Sequence, residues 1–182
     1  KNGIISLVDE VISINKENKT VDLAGGEIIK YEKLVIATGS IPVMPKWLKG
    51  GEKENVFVIP KDKVYLDEMK KKISECKKVV VIGAGFIGVE FSDELMKHGH
   101  EVLLVEKLPD ILMLAFDAEI SKKVEEILLL RGVKIITGNG IKEILGEKKV
   151  ESVRLENGDL MNADAVILTV GYKPNTKLAR DS

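Results

Sequence analysis

The chain has 182 residues, enough for one α/β domain with a full core, or for one domain and part of another. With 28 basic and 29 acidic residues the net charge is -1, so no electrostatic field gathers nucleic acid or anionic lipid, and neither is expected as a partner. One cysteine leaves no internal disulfide, no CxxC pair and no thiolate metal cage, which points to a reducing, cytoplasmic setting, and no apolar run reaches the ~18 residues of a membrane span.

In chain order, the first third reads as strands. Short β-branched segments are separated by turn material at 15–19 and at Gly25 and Gly26, and the uncharged run "LVIATG" (34–39) predicts a buried parallel strand ending in a glycine turn. Pro42 and Pro45 interrupt regular structure, Trp47 is read as packing within a linker, and 61–78 has helical spacing. A domain boundary is expected between Pro42 and Lys77. Then come the strand "KVVVIGAG", the helix "FIGVEFSDELMKHG" stopped at Gly99, the strand "EVLLVEK", the helix "AEISKKVEEILLLRG" closed by Gly132, and the strand "VKIITG". This alternation predicts right-handed βαβ crossovers and a doubly wound parallel sheet.

An internal repeat runs through the chain. "GEIIKYEKLVIATGSIP" (26–42) aligns without a gap on "GDLMNADAVILTVGYKP" (158–174) at an offset of 132, and similar hairpins precede both copies, in register to within one residue. In the second copy a glycine-rich turn at Gly83 precedes Gly171 by 88 residues; the same count back from Gly39 places the first copy's turn before Lys1.

That turn, "VVVIGAGFIGVE" (79–90), carries the chemistry. Gly83 allows a tight turn, Gly85 allows the backbone to approach a pyrophosphate, and Gly88 allows close packing of helix on strand. The helix starting near Phe86 and Ile87 offers free N–H groups and about +0.5 charge to phosphates. Glu106 lies 18 residues past Gly88 at the end of the next strand, where a carboxylate can grip ribose hydroxyls; a solvated strand-end acid is the plain alternative. A carboxylate there repels a 2'-phosphate and favours NADH over NADPH, while Lys107 softens that preference. His98 and His100 flank a turn without further ligands, so no metal site is expected, and Cys76 has no partner for redox work.

The stretches "YEKLVIATGSIP", "VVVIGAGFIGVE", "EVLLVEK", "LPDILMLAFDAEI" and "AVILTVGYKPNTKLA" resemble the pyridine nucleotide-disulfide oxidoreductase family, in its NADH oxidase and coenzyme A-disulfide reductase branch. The resemblance implies an α/β architecture: a Rossmann-like NAD(H)-binding domain with a β-meander at 77–175, a strand-rich piece of a second, FAD-binding domain at 1–45, a linker and helix at 46–76, and a return to the FAD domain at 176–182. It puts Gly83, Gly85 and Gly88 at the NADH pyrophosphate, Glu106 at the adenosine ribose, Gly171 near the nicotinamide half, Glu90 facing nicotinamide and flavin, and Thr38 with Gly39 at FAD. The family's first GxGxxG, its redox cysteine, its later FAD motif and its dimerisation domain have no counterpart between Lys1 and Ser182. The chain is therefore expected to be a central excerpt with no catalytic residue of its own and to be inactive alone. Its parent would be a homodimer passing hydride from NADH to FAD and on to oxygen, a disulfide or a redox protein. A non-catalytic NAD-binding module, and rubredoxin, ferredoxin or nitrite reductase flavoproteins, are the alternatives. Lys-dominated basic content, frequent Glu and Ile, and the absence of Gln fit a thermophile and fit an AT-rich genome equally.

Overall fold

The structure, a computed structural model, describes residues 3–182, which form two compact units, 3–41 with Lys173–Ser182, and Pro42–Tyr172. The first unit is an antiparallel meander of β1 (Val11–Asn15), β2 (Thr20–Leu23) and β3 (Ile28–Lys30), with Ile14, Val21 and Leu23 buried. The chain crosses between the units at β4 (Ser40–Pro42) and again at β13 (Tyr172–Pro174), and the short helix α4 (Lys177–Arg180) follows in the first unit.

The second unit is built on five parallel strands: β5 (Val56–Val58), β6 (Lys78–Ile82), β7 (Glu101–Val105), β8 (Lys134–Ile136) and β12 (Ala165–Leu168), in the order β5-β12-β6-β7-β8. Three helices connect them: α1 (Lys63–Ile73), α2 (Phe86–Lys97) and α3 (Ala118–Leu130). Because strand side chains alternate, Val79, Val81 and Leu104 pack with Met69, Leu95 and Leu128 of the helices. Val80, Ile82 and Val105 turn to the other face, where an antiparallel meander of β9 (Ile141–Leu145), β10 (Ser152–Leu155) and β11 (Leu160–Asn162) covers them with Ile144, Val153 and Leu155. The expected α/β sheet is thus present, with helices on one face and the meander on the other. Burial on both faces explains why β12 is apolar throughout and β6 is apolar from Val79 to Ile82.

The repeat is visible element by element. β2, β3 and β4 each start 132 residues before β10, β11 and β13, while β1 and β9 are 130 apart because the turn after β1 has four residues and that after β9 has six. The two copies differ at their most apolar segment. β12 is a fully buried strand between β5 and β6, whereas residues 34–39, expected to be a buried parallel strand, have no strand structure, and Leu34, Val35 and Ile36 are exposed. A buried strand needs strands hydrogen-bonded along its edges, and among the described residues of the first unit no strand pairs with this segment, whose end at Thr38 and Gly39 bonds instead to Asn175.

Residues 46–76, expected as a linker and helix, belong to the second unit, where they supply β5, α1 and the buried Leu48; Trp47, expected to pack there, is exposed. No helix among the described residues is long and apolar enough to cross a membrane.

Asp93 of α2 ties that helix to the end of α3 by accepting from Arg131, and to Lys97 at 2.8 Å. Hydrogen bonds from Arg131 and then Lys97 hold the Asp93 carboxyl below its ordinary pKa. A depressed folded pKa gives stability that is complete above the unfolded value near 3.8 and is lost as pH falls through the folded one. Arg131→Ala should therefore cost about 0.5–1 kcal/mol in urea denaturation at pH 7, and the gap to wild type should shrink below pH 3.8.

Candidate functional site

The strand order reverses its direction of winding at β6. From there the chain winds through α2 to β7 and α3 to β8 on one side, while β12 and β5 lie on the other. In open α/β sheets the crevice beyond the carboxyl ends of the strands at such a point is where ligands bind. The turn at Gly83, Ala84 and Gly85 leaves β6 there, and Thr169 to Gly171 leave β12 beside it.

The turn is held on every side. Gly83 has φ +99° and its N–H donates to the Val105 carbonyl at 2.8 Å. The Thr169 hydroxyl lies 2.7 Å from the Gly83 carbonyl and 2.9 Å from that of Ile82, sharing its single proton between them. A Cβ at Gly88 would collide with the Gly83 carbonyl oxygen, so only glycine lets α2 approach β6 this closely. The Ala84 carbonyl accepts from Leu112 N–H at 2.8 Å, which brings the loop after β7 over the turn.

Glu106 is half-buried against the same turn. Its Oε2 accepts from Ala84 N–H at 2.6 Å and its Oε1 from Leu108 N–H at 2.9 Å. Each oxygen retains acceptor capacity. The neighbouring Lys107 is exposed and pairs with Glu156 at 2.8 Å.

The start of α2 differs from the other long helices. Asp62 caps α1 through Tyr65 N–H and Asp117 caps α3 through Ile120 N–H, whereas Gly85 at the head of α2 brings no side-chain acceptor. The first-turn N–H groups, Phe86 and Ile87 among them, have no intrahelical partner, and the helix dipole adds about +0.5 charge there. A Cβ at Gly85 would meet no protein atom within 4 Å, so the protein's own packing does not account for a glycine at this position. A cavity of about 240 Å³ opens over this point, lined by Ala84, Gly85, Phe86, Glu106, Leu108 and Asp110 among others. The Phe86 ring is largely exposed and meets Phe116 edge-on at 5.5 Å. A larger apolar cavity, about 410 Å³, lies between α1 and α2 instead, with no link to the turn.

Of the residues singled out from sequence, Gly83, Gly85, Phe86, Ile87, Gly88, Glu106 and Gly171 gather at the carboxyl ends of β6, β7 and β12, and Glu90 is exposed further along α2. Lys107 sits beside them, turned to Glu156. Thr38 and Gly39 belong to the first unit, where Thr38 Oγ1 donates to the Asn175 carbonyl at 2.5 Å and the Gly39 carbonyl accepts from Asn175 N–H at 2.9 Å. Thr169, Leu112 and Glu156 escaped the sequence reading. A threonine directly before the "VG" of the second copy was the available signal for Thr169.

His98 and His100 each turn Nδ1 to a backbone carbonyl, of Glu94 and of Cys76, and no metal-binding cluster occurs among the described residues. Cys76 is buried at the entry to β6, the opposite end of the strand from the glycine turn.

The profile of the family described as pyridine nucleotide-disulphide oxidoreductase matches residues 1–182. An NADH oxidase of Methanocaldococcus jannaschii is 35% identical over 95% of this chain and 39% of its own length. A ferredoxin reductase structure from Rhodopseudomonas palustris superposes with TM-score 0.86 at 32% identity, over 96% of this chain and 43% of that one. A water-forming NADH oxidase from Lactobacillus brevis, solved with NADH bound, superposes with TM-score 0.81 at 26% identity, over 95% and 39%. The chain thus spans about two fifths of the length of the M. jannaschii relative and the L. brevis structure.

Burial pushes the Cys76 thiol above its ordinary pKa, and the Asp164 and Glu75 charges add to the effect. At pH 8 the folded chain should react with a thiol reagent roughly ten-fold or more slowly than the urea-unfolded chain. Equal rates would contradict the burial of this thiol.

Proposed function

The chain belongs to the pyridine nucleotide-disulphide oxidoreductase family, and from that membership we propose that it is the NAD(H)-binding region of an FAD-dependent oxidoreductase of the NADH oxidase and coenzyme A-disulfide reductase type. The second unit is the NAD(H)-binding domain and the first a piece of the FAD-binding domain. In the whole protein, bound NADH supplies a hydride that FAD relays to oxygen, a disulfide or a redox protein. We also infer a reducing, cytoplasmic setting and a homodimeric parent.

The observation that carries this reading is the uncapped head of α2 behind Gly85, with the Glu106 carboxylate fixed beside it. The first-turn N–H groups take the pyrophosphate, because they are the donors the helix leaves without partners. Gly85 leaves room for it, while Gly83 and Gly88 keep the turn and helix in place. Glu106 accepts from the ribose hydroxyls with the capacity its two backbone donors leave free. Gly171 lies at the nicotinamide half and Glu90 faces the reacting ring; Thr38 and Gly39 are assigned to FAD on the family resemblance. Cys76, at the far end of β6, takes no part. This chain's share of the chemistry is therefore binding, orientation and charge selection.

A 2'-phosphate about 4 Å from Glu106 costs roughly 1 kcal/mol in a wet site and about 4 kcal/mol at an effective dielectric of ~20. NADH should thus bind about 5- to 1000-fold more tightly than NADPH in calorimetric titration, and Glu106→Ala should narrow the gap. Gly85→Val should abolish NADH binding at millimolar ligand with little change in Tm, because the added side chain meets no protein atom and fills the approach to the helix. A well-folded wild type that ignored millimolar NADH would refute the assignment.

A further inference from the structure

We infer that Glu156 is a positioning residue for nucleotide choice: by holding Lys107 in an ion pair it keeps the cation next to Glu106 away from a 2'-phosphate, so that discrimination against NADPH depends on two carboxylates. This rests on the reading of Glu106 as the ribose-binding group.

Lys107 follows Glu106 directly, and an unengaged lysine there would be a natural phosphate partner, cancelling part of the repulsion that Glu106 supplies. Its ammonium instead lies 2.8 Å from Glu156 Oε1. It does not pair with Glu106, whose two oxygens take the N–H groups of Ala84 and Leu108.

Glu156 is not an arbitrary surface acid. It stands in the turn between β10 and β11, and a closed series of contacts ties that turn to the end of β7. Asn139 N–H donates to the Glu106 carbonyl at 3.2 Å, and Glu156 N–H donates to the carbonyl of the next residue, Gly140, at 2.8 Å. The Glu156 carboxylate then lies so close over Gly140 that a Cβ there would come within 2.8 Å of it. The meander thereby seats an anion beside Glu106, the residue that follows β7, and the ion pair with Lys107 closes the ring. The side chains of Lys107 and Glu156 are 72% and 45% exposed, so the pair adds little to stability. Its consequence is where the ammonium points.

The test is a double-mutant cycle on the full chain, titrated with NADH and NADPH at low and high salt. Glu156→Gln, close to isosteric, should raise the ratio of NADPH to NADH affinity about two- to five-fold at low salt, the range expected of an exposed charge pair, and less at high salt. In a Lys107→Met background the same substitution should leave the ratio where it was. Lys107→Met alone should change it less than two-fold, since the lysine is already engaged, and this holds the inference to account even if Glu156→Gln folds poorly. An unchanged ratio in Glu156→Gln with NADH still bound, an equal rise in the Lys107→Met background, or a large fall in Lys107→Met alone would each overturn the inference and leave the NADH site standing. A wild type that binds neither nucleotide would overturn the site itself.

Discussion

The close approach of α2 to the end of β6 is the constraint on which the site depends. Gly88 lies against the Gly83 carbonyl with no room for a methyl group, and the Thr169 hydroxyl clamps that carbonyl from β12. Three elements are locked at one point: the strand before the turn, the helix after it, and the strand beside it across the switch in winding. A larger side chain at Gly88 would push α2 outward and move every first-turn N–H away from the crevice. The apolar layers on both faces of the sheet then hold the strands whose ends form that crevice.

Around this contact the electrostatics are divided. The head of α2 is positive and lacks a side-chain cap, an omission that costs an ordinary helix about 1 kcal/mol. Glu106 sets a negative group beside it, tied to Ala84 within the turn itself. A ligand suited to both must present an anion to the helix and neutral hydroxyls to the carboxylate. A dinucleotide with an unphosphorylated ribose meets that description, whereas a simple phosphate satisfies only half of it. The cavity over the turn is modest beside the apolar one between α1 and α2, so the assignment follows the donors and acceptors and not the volume.

Much of this was legible in the sequence because it is local. The β6, α2, β7 series follows from period and glycine spacing, and the repeat predicted that β2, β3 and β4 would recur as β10, β11 and β13. What could not be read depends on neighbours distant in the chain. Residues 34–39 have the composition of a buried strand, as β12 does, but β12 has β5 and β6 at its edges. β5 itself is three residues within a stretch punctuated by prolines and charges, too short to show a period. Thr169 looks like one more β-branched residue after a strand until its hydroxyl is seen bonded to the carbonyl of Gly83, 86 positions away in the chain. Glu156 is one acid among many, given a role only by where Lys107 points.

The central claim is that the turn from Gly83 to Gly88 is where a dinucleotide sits, and amide chemical-shift mapping of the labelled chain during titration with NADH tests it most directly. The largest shifts are expected at Ala84 to Val89, with smaller ones at Glu106 and at Thr169 to Gly171, and none of comparable size along the cavity between α1 and α2. Shifts concentrated at Leu66, Ile73 and Phe91 of that cavity, with the amides of Gly85 to Gly88 unmoved, would contradict it.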